Sequence, residues 1–228
     1  MNYPTYQKYS ATSWPTMGDI PTGWEARRLK FVATYNDEVL SESTDPDFEI
    51  AYVDISSVDL VNGITAVEIH AFADAPSRAR RIARDGDTII STVRTYLKAI
   101  APIESPPNNM IVSTGFVVIR PLEFIDSRFM GYALQGSGFI DSVVANSTGV
   151  SYPAINPSTL ACIPICYPPN RDEQQQIANF LDWKIQQIDT LMAKEFAISL
   201  LTEYRTALIT AATTGKIDVR QVNLDTAS

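Results

Sequence analysis

From Arg171 to about Thr213 the chain contains neither proline nor glycine, whereas upstream of Pro168-Pro169 one or the other recurs every few residues. A span of that length without a breaker predicts one long helix. Asn170 before Arg171-Asp172-Glu173 reads as an N-cap with an acid at the third helical position. The two prolines keep the helix from starting earlier, and Gly215 can supply the left-handed residue that closes it. At ~1.5 Å rise per residue, about 43 residues make a rod of roughly 65 Å, against the ~30 Å of a small domain. Most of such a rod must project beyond its own body.

The rod is not polar all round. Ile177, Leu181, Ile185, Ile188, Leu191, Met192, Phe196, Ile198, Leu201, Leu208 and Ile209 recur at intervals of three and four. Each Leu or Ile contributes ~1.5–3 kcal/mol when covered, so the stripe needs a partner. Packing on its own domain is one option, but length argues against it for the whole stripe. The favoured reading pairs Ile177, Leu181, Ile185, Ile188, Leu191, Ile198, Leu201 and Leu208 with a second long helix, from another chain or another copy of the module.

Upstream, Glu49–Ile55, Thr88–Arg94 and Ile111–Arg120 are rich in β-branched residues and read as strands. Asn62-Gly63 and Asp85-Gly86-Asp87 are turn signals. Trp24–Thr34 is a weak helical candidate with Leu29, Val32 and Ala33 turned inward. Ser127–Gln135 is a better one, with Phe129, Met130, Ala133 and Leu134 on one face. The expected fold is α+β: an extension over 1–19, a mixed α/β domain over 20–169, the long helix over 170–214 and a tail over 215–228.

Composition narrows the chemistry. The 228 residues carry a formal charge of −8, which excludes nucleic-acid binding by bulk basicity but not by a local patch. His70 is the only histidine, so mechanisms needing two histidines and histidine zinc clusters are excluded. Cys162 and Cys166, four apart, are either half of a zinc site lacking a second pair or two small apolar residues in a buried extended segment; the second is preferred. The N-terminus lacks the apolar core of a signal peptide and no stretch reaches ~18 apolar residues, so a soluble cytoplasmic protein without membrane partners is expected. Gly136-Ser137-Gly138 is an isolated Gly-x-Gly. Asp45-Pro46-Asp47-Phe48-Glu49 reads as a solvated acidic turn, and no Glu-x-Lys follows Asp85 and Asp87 to complete a nuclease set. Pro106-Pro107 and Pro168-Pro169 are each followed by asparagine, not by the aromatic residue of an amino-methyltransferase motif. No catalytic residue, metal ligand or cofactor is expected.

The basic residues are unevenly spread. Of the 12 Lys and Arg in residues 1–170, six lie close together: Arg78, Arg80, Arg81, Arg84, Arg94 and Lys98. Ser91, Thr92, Thr95 and Tyr96 share that span. Cations meet phosphates, arginine can grip a guanine, and hydroxyls add backbone and base-edge contacts. The competing reading is an ordinary solvated arginine-rich loop. A second polar stretch, Asn146–Pro153, presents Ser147, Thr148, Ser151 and Tyr152 around Gly149, the kind of loop that carries recognition.

Several of these segments fall into a known pattern. Pro168-Pro169-Asn170-Arg171-Asp172-Glu173-Gln174-Gln175-Gln176-Ile177-Ala178-Asn179-Phe180-Leu181 resembles the start of the conserved helix in specificity subunits of type I restriction–modification systems. Ile188-Asp189-Thr190-Leu191 and the stretch from Leu200-Leu201-Thr202-Glu203 to Thr214-Gly215-Lys216-Ile217-Asp218 resemble that helix's middle and end. More loosely, Ile20-Pro21-Thr22-Gly23-Trp24, Asp85-Gly86-Asp87 with Ser91–Arg94, and Gly149–Ile155 are similar to parts of a target recognition domain.

The resemblance implies a non-catalytic subunit that reads one half of a split duplex DNA target. Its partners would be methyltransferase (modification) subunits, and restriction subunits that dock onto that assembly. Gln174, Gln175, Phe180, Arg205 and Lys216 would be docking and packing positions. The family's full subunits carry two recognition domains and two helices paired as an antiparallel coiled coil. This chain holds one of each, as a natural half-subunit or a fragment of a longer chain. The alternative is a non-catalytic protein-binding adaptor that dimerises through its helix.

Overall fold

Alternation along the strands decides how the layers stack. Ile90, Val117 and Ile119 share one apolar cluster with helices, while their chain neighbours Ile89, Phe116 and Val118 share another with a second sheet. Period-two side-chain geometry sends successive residues to opposite faces, so a strand apolar on both faces must be covered twice. The computed structural model describes residues 3–14, 17–218 and 220; the rest of the expected tail, and Met1 and Asn2, lie outside the described residues. The chain divides into two units, 1–178 and 179–228.

In the first unit, one antiparallel sheet has the order Ile100–Pro102, Thr88–Ser91, Phe116–Pro121, Ala33–Tyr35. A second has the order Glu68–Ala71, Glu49–Val53, Met110–Ser113, Ala79–Ile82, with a parallel pair at its centre. Val53, Met110 and Val112 face the first sheet. Ile50, Tyr52, Ala79 and Ile111 form a separate cluster. The first sheet's other face is covered by α1 (Ser127–Gln135) and α2 (Ser137–Ala145) through Phe129, Met130, Leu134, Phe139, Ile140 and Val143. Asp126 caps α1 by accepting from the Arg128 and Phe129 amides, both at 3.1 Å. A four-residue helix α3 (Pro157–Leu160), capped by Asn156, leads into strand Pro164–Tyr167, which pairs with Glu25–Arg28.

Three sequence expectations change. Ile111–Arg120 is two strands, one in each sheet, because the chain crosses between layers at Thr114-Gly115. A Cβ on Gly115 would sit 2.3 Å from Ile55 Cδ1, so any other residue there would force the Ile55 side chain to move. Trp24–Thr34 is not helical: Glu25–Arg28 is a strand, Leu29–Phe31 a 3₁₀ turn, and Ala33–Tyr35 an edge strand. Leu29, Val32 and Ala33 are nevertheless buried; inter-strand pairing there overrides local propensity. The stretch before residue 20 also pairs, Tyr9–Ala11 with Asp19–Pro21. Tyr6 stacks edge-on against Trp24 and donates to Glu173, 2.8 Å away. Burial, then that carboxylate, pushes the Tyr6 phenol up to about 12.

The long helix, α4, runs Arg171–Thr213. Asn170 caps it through Oδ1, which accepts from the Asp172 amide at 2.8 Å. Glu173 does not close a capping box; its carboxylate accepts instead from Tyr6 and from Trp24 Nε1. Gln174 and Ala178 are buried and Ile177 packs on the core of the first unit.

In the second unit, Thr190, Thr202, Thr206, Thr210 and Thr213 bond back to carbonyls four residues earlier, which satisfies their hydroxyls within the helix. The helix ends as a Schellman motif: Lys216 N–H reaches Ala211 O at 2.9 Å, Gly215 N–H reaches Ala212 O at 3.3 Å, and Gly215 has φ +73°.

Candidate nucleic-acid interface

The two polar stretches of the sequence meet in space. After the buried strand Thr88–Ser91 the chain makes a 3₁₀ turn, Thr95–Leu97, flanked by Arg94 and Lys98, both left-handed, at φ 49° and 54°. Val93 bridges Ala154, which in turn bridges Thr148, and Ile155 N–H donates to Thr92 O at 2.9 Å. Thr95 and Ser147 hydroxyls lie 2.7 Å apart. Ser147 gives its only proton to Val143 O, 2.8 Å away, so Thr95 is the donor in that pair. Above this seam the Arg94 guanidinium lies 4.9 Å from the Tyr152 ring centroid, a cation–π contact.

Two more loops extend the same ridge. Gly115 O accepts from both the amide and the hydroxyl of Thr92, each at 2.8 Å, and Thr114 N–H donates to Arg78 O at 2.8 Å. Arg78, Arg94, Tyr96, Lys98, Thr148, Ser151 and Tyr152 are exposed along this line, and Ser147 is half-buried. Val150, at the tip of its loop, is fully exposed.

The other candidates sit elsewhere or are already engaged. Ser91 and Thr92 are buried, with Ser91 Oγ donating to Val93 O at 2.7 Å. Their hydroxyls shape the loop and are not offered to a ligand, a correction to the surface role expected of them. Arg80, Arg81 and Arg84 do not continue the ridge. The strand Ala79–Ile82 runs away from Arg78 at ~3.3 Å per residue. Arg80 stacks on Phe72, 4.7 Å from its centroid, and its Nε is 3.6 Å from Glu42. Arg81 is half-buried, and burial lowers its pKa. Arg84 pairs with Glu38. The basic span is therefore two groups: Arg78, Arg94 and Lys98, exposed and without an ion pair among the described residues, and Arg80 and Arg84, paired with carboxylates, with Arg81 half-buried between them.

Of these, Arg84 borders a hub the sequence did not signal. Arg120 grips buried Asp87 with Nε and Nη2, both at 2.8 Å, and reaches Glu38 with Nη1 at 2.7 Å. The bond from Arg120 holds the Glu38 carboxyl below its ordinary range, and the Arg120 guanidinium is raised in turn by Asp87. Asp87 also accepts the Arg84 amide at 2.8 Å. Asp85 accepts from Ser105 N–H at 2.6 Å. Both acids of the Asp85-Gly86-Asp87 turn serve the fold. Cys162 and Cys166 are free thiols, half-buried instead of enclosed as expected; Cys162 lies in a turn, and Cys166 in the expected extended segment, strand Pro164–Tyr167. Among the described residues no group of three or more His, Cys, Asp or Glu is placed to hold a metal ion, and no helix is long and apolar enough to cross a membrane.

Residues 21–197 match the model of the type I restriction modification DNA specificity domain. The chain belongs to this family. No curated protein sequence matches it. Solved structures do, two of them at the same identity. One is the HsdS subunit from Thermoanaerobacter tengcongensis, 29% identical with a TM-score of 0.67. The other, with the same identity and score, is a chain from a structure describing complex assembly and conformational transition of the type I R-M system. Each match covers 90% of this chain but only 51% and 52% of the solved chains, so this specificity-family chain spans about half the length of those relatives.

Along α4 and just past its end, the residues named for pairing and docking take different positions. Ile177 is half-buried and packs on its own domain's core. Leu181 is half-buried, and Ile185, Ile188, Leu191, Ile198, Leu201 and Leu208 are exposed, Leu201 at 65%. Gln175 is half-buried; Phe180, Arg205 and Lys216 are exposed. Of the two roles expected, Gln174 takes packing and not docking: its carboxamide is fully buried and bonds to Asp126 N–H, Phe124 O and Pro168 O. It ties the first turn of the helix to the domain.

Proposed function

We propose that this chain reads one half of a bipartite duplex DNA target and carries no catalysis itself. Residues 20–169 act as the target recognition domain, and 170–214 as the helix that holds the methyltransferase subunits. Restriction subunits join through that assembly, in the cytoplasm. The observation that carries the reading is the joining of loops 92–98 and 146–154, far apart in sequence, into one ridge with cations, hydroxyls and an aromatic ring exposed together. Phosphate contacts from Arg78 and Lys98 would position the duplex, and base contacts would specify it. A net charge of −8 means the remaining positive surface must come from a partner. The exposed apolar helix residues are covered by a second helix of the same kind, antiparallel, from another chain or the same polypeptide.

The test is tritiated methyl transfer to duplex DNA. The purified chain alone, with S-adenosylmethionine, magnesium and ATP, should stay at background. Transfer should appear, dependent on sequence, when the methyltransferase subunits are added, and should be lost when 179–228 are deleted. Methylation by the chain alone, abolished by a point substitution in it, overturns the reading. Absence of DNA binding in every assembly favours the protein-binding adaptor.

A further inference from the structure

We propose that Arg94 is the base-reading residue of the ridge, presenting its guanidinium fork to the two acceptors of a guanine, while Lys98 and Arg78 hold phosphates. This rests on the reading that the ridge meets DNA. The first argument is availability. Arg80 and Arg84 are ion-paired with Glu42 and Glu38, but Arg94 makes no ion pair among the described residues and faces only the Tyr152 ring.

The second argument is preorganisation. The Tyr152 ring, 4.9 Å from the Arg94 guanidinium carbon, restricts where that group can sit, and bidentate bonding to O6 and N7 needs a fork held in place. A phosphate contact makes no such demand, and the single mobile charge of Lys98 suits it. The third argument is the backbone. Arg94 and Lys98 are both held left-handed, a conformation that costs energy for side-chain-bearing residues and persists only where the surroundings over-determine it. The surroundings here are the Thr92–Gly115 bonds, the Val93–Ala154 bridge and the Thr95–Ser147 pair. Tyr152, Thr95 and Ser147 are then positioning residues, acting through Arg94.

The experiment uses the full chain assembled with its methyltransferase subunits and a duplex library of random sequence, from which bound DNA is selected and sequenced. Salt dependence is then measured on the selected duplex. Arg94→Lys keeps the charge and loses the fork. It should erase the preference at one G·C pair by roughly 5- to 150-fold, equivalent to ~1–3 kcal/mol, without changing the salt slope. Lys98→Ala should do the reverse, preserving the motif and flattening the log–log slope by about one. Tyr152→Phe should keep the preference at that pair and Tyr152→Leu should weaken it. An unchanged motif in Arg94→Lys and Tyr152→Leu, with a flattened slope in Lys98→Ala, overturns the assignment of Arg94 but leaves the DNA reading standing. A wild-type assembly that enriches no motif overturns both.

Discussion

Replacing Gln174 with alanine should cost the domain far more than replacing any exposed glutamine of the same helix. Its Oε1 accepts from Asp126 N–H at 2.7 Å, and its Nε2 donates to Pro168 O at 2.9 Å and Phe124 O at 3.2 Å. All of this happens at 0% exposure. Alanine deletes the three bonds together and strands a buried amide and two carbonyls. A buried hydrogen bond contributes ~0.5–1.5 kcal/mol net, and a buried group left unsatisfied costs ~1–3 kcal/mol. Three bonds at about 1 kcal/mol each give ~3 kcal/mol as the expected loss. The loss should spread to α1, because the amide that Gln174 holds belongs to Asp126, its cap. For a chain of this size that corresponds to a fall in Tm of roughly 6–12 °C. Gln176→Ala, exposed in the same turn, should change stability by under ~0.5 kcal/mol. Gln174→Glu should be as damaging as alanine, since it turns a donor into an oxygen facing two carbonyl oxygens. Scanning calorimetry and urea titration of the full chain supply the numbers. A loss below ~1 kcal/mol for Gln174→Ala would refute the claim that this side chain joins helix to domain.

Three further outcomes follow from the same geometry. Arg120→Met leaves the Asp87 carboxylate buried without its cation, and should cost ~3–5 kcal/mol at pH 7. The Glu38 carboxyl is depressed mainly by its bond to Arg120; that contribution is present above the ordinary value of 4.5 and disappears as pH falls through the lower folded value. Melts at pH 7, 5 and 3.5 should therefore show the wild-type advantage narrowing below about pH 4.5, and a constant gap across those values counts against it. Arg94→Gly should be more stable than Arg94→Ala by roughly 0.5–1 kcal/mol, because glycine escapes the left-handed penalty at the cost of a more flexible unfolded chain; the opposite order contradicts the strain. Replacing Ile188 and Leu191 together with lysine should reduce the purified chain to a monomer by light scattering, and an identical mass for wild type and double variant ends the pairing proposal.

The long helix shows what local information is worth. Its start at Asn170, its extent to Thr213 and its glycine closure are all written in neighbouring residues: a capping side chain, an uninterrupted run of helix formers and a φ that glycine adopts freely. The strands Glu49–Val53 and Thr88–Ser91 and the helix Ser127–Gln135 were legible for the same reason, since periodicity is a property of a short window. Ile111–Arg120 misled because both of its halves are apolar on two faces. Only the pairing of its two halves in different sheets reveals the crossing.

Of the interface, the sequence by itself determined the ingredients: a cluster of cations, two loops rich in hydroxyls, and an acidic balance that forbids binding by charge alone. The tertiary structure decided which of them act together. Thr95 meets Ser147 across 52 positions and Asp126 meets Gln174 across 48, and no periodicity or local propensity spans such distances. Adjacency in sequence put Arg80, Arg84 and Arg94 in one basic span; the path of one strand sent the first two toward Glu42 and Glu38 and left the third over Tyr152. A charge in sequence is only a potential contact, and it is the carboxylates and rings the fold brings beside it that determine whether it is spent inside the domain or remains for a ligand.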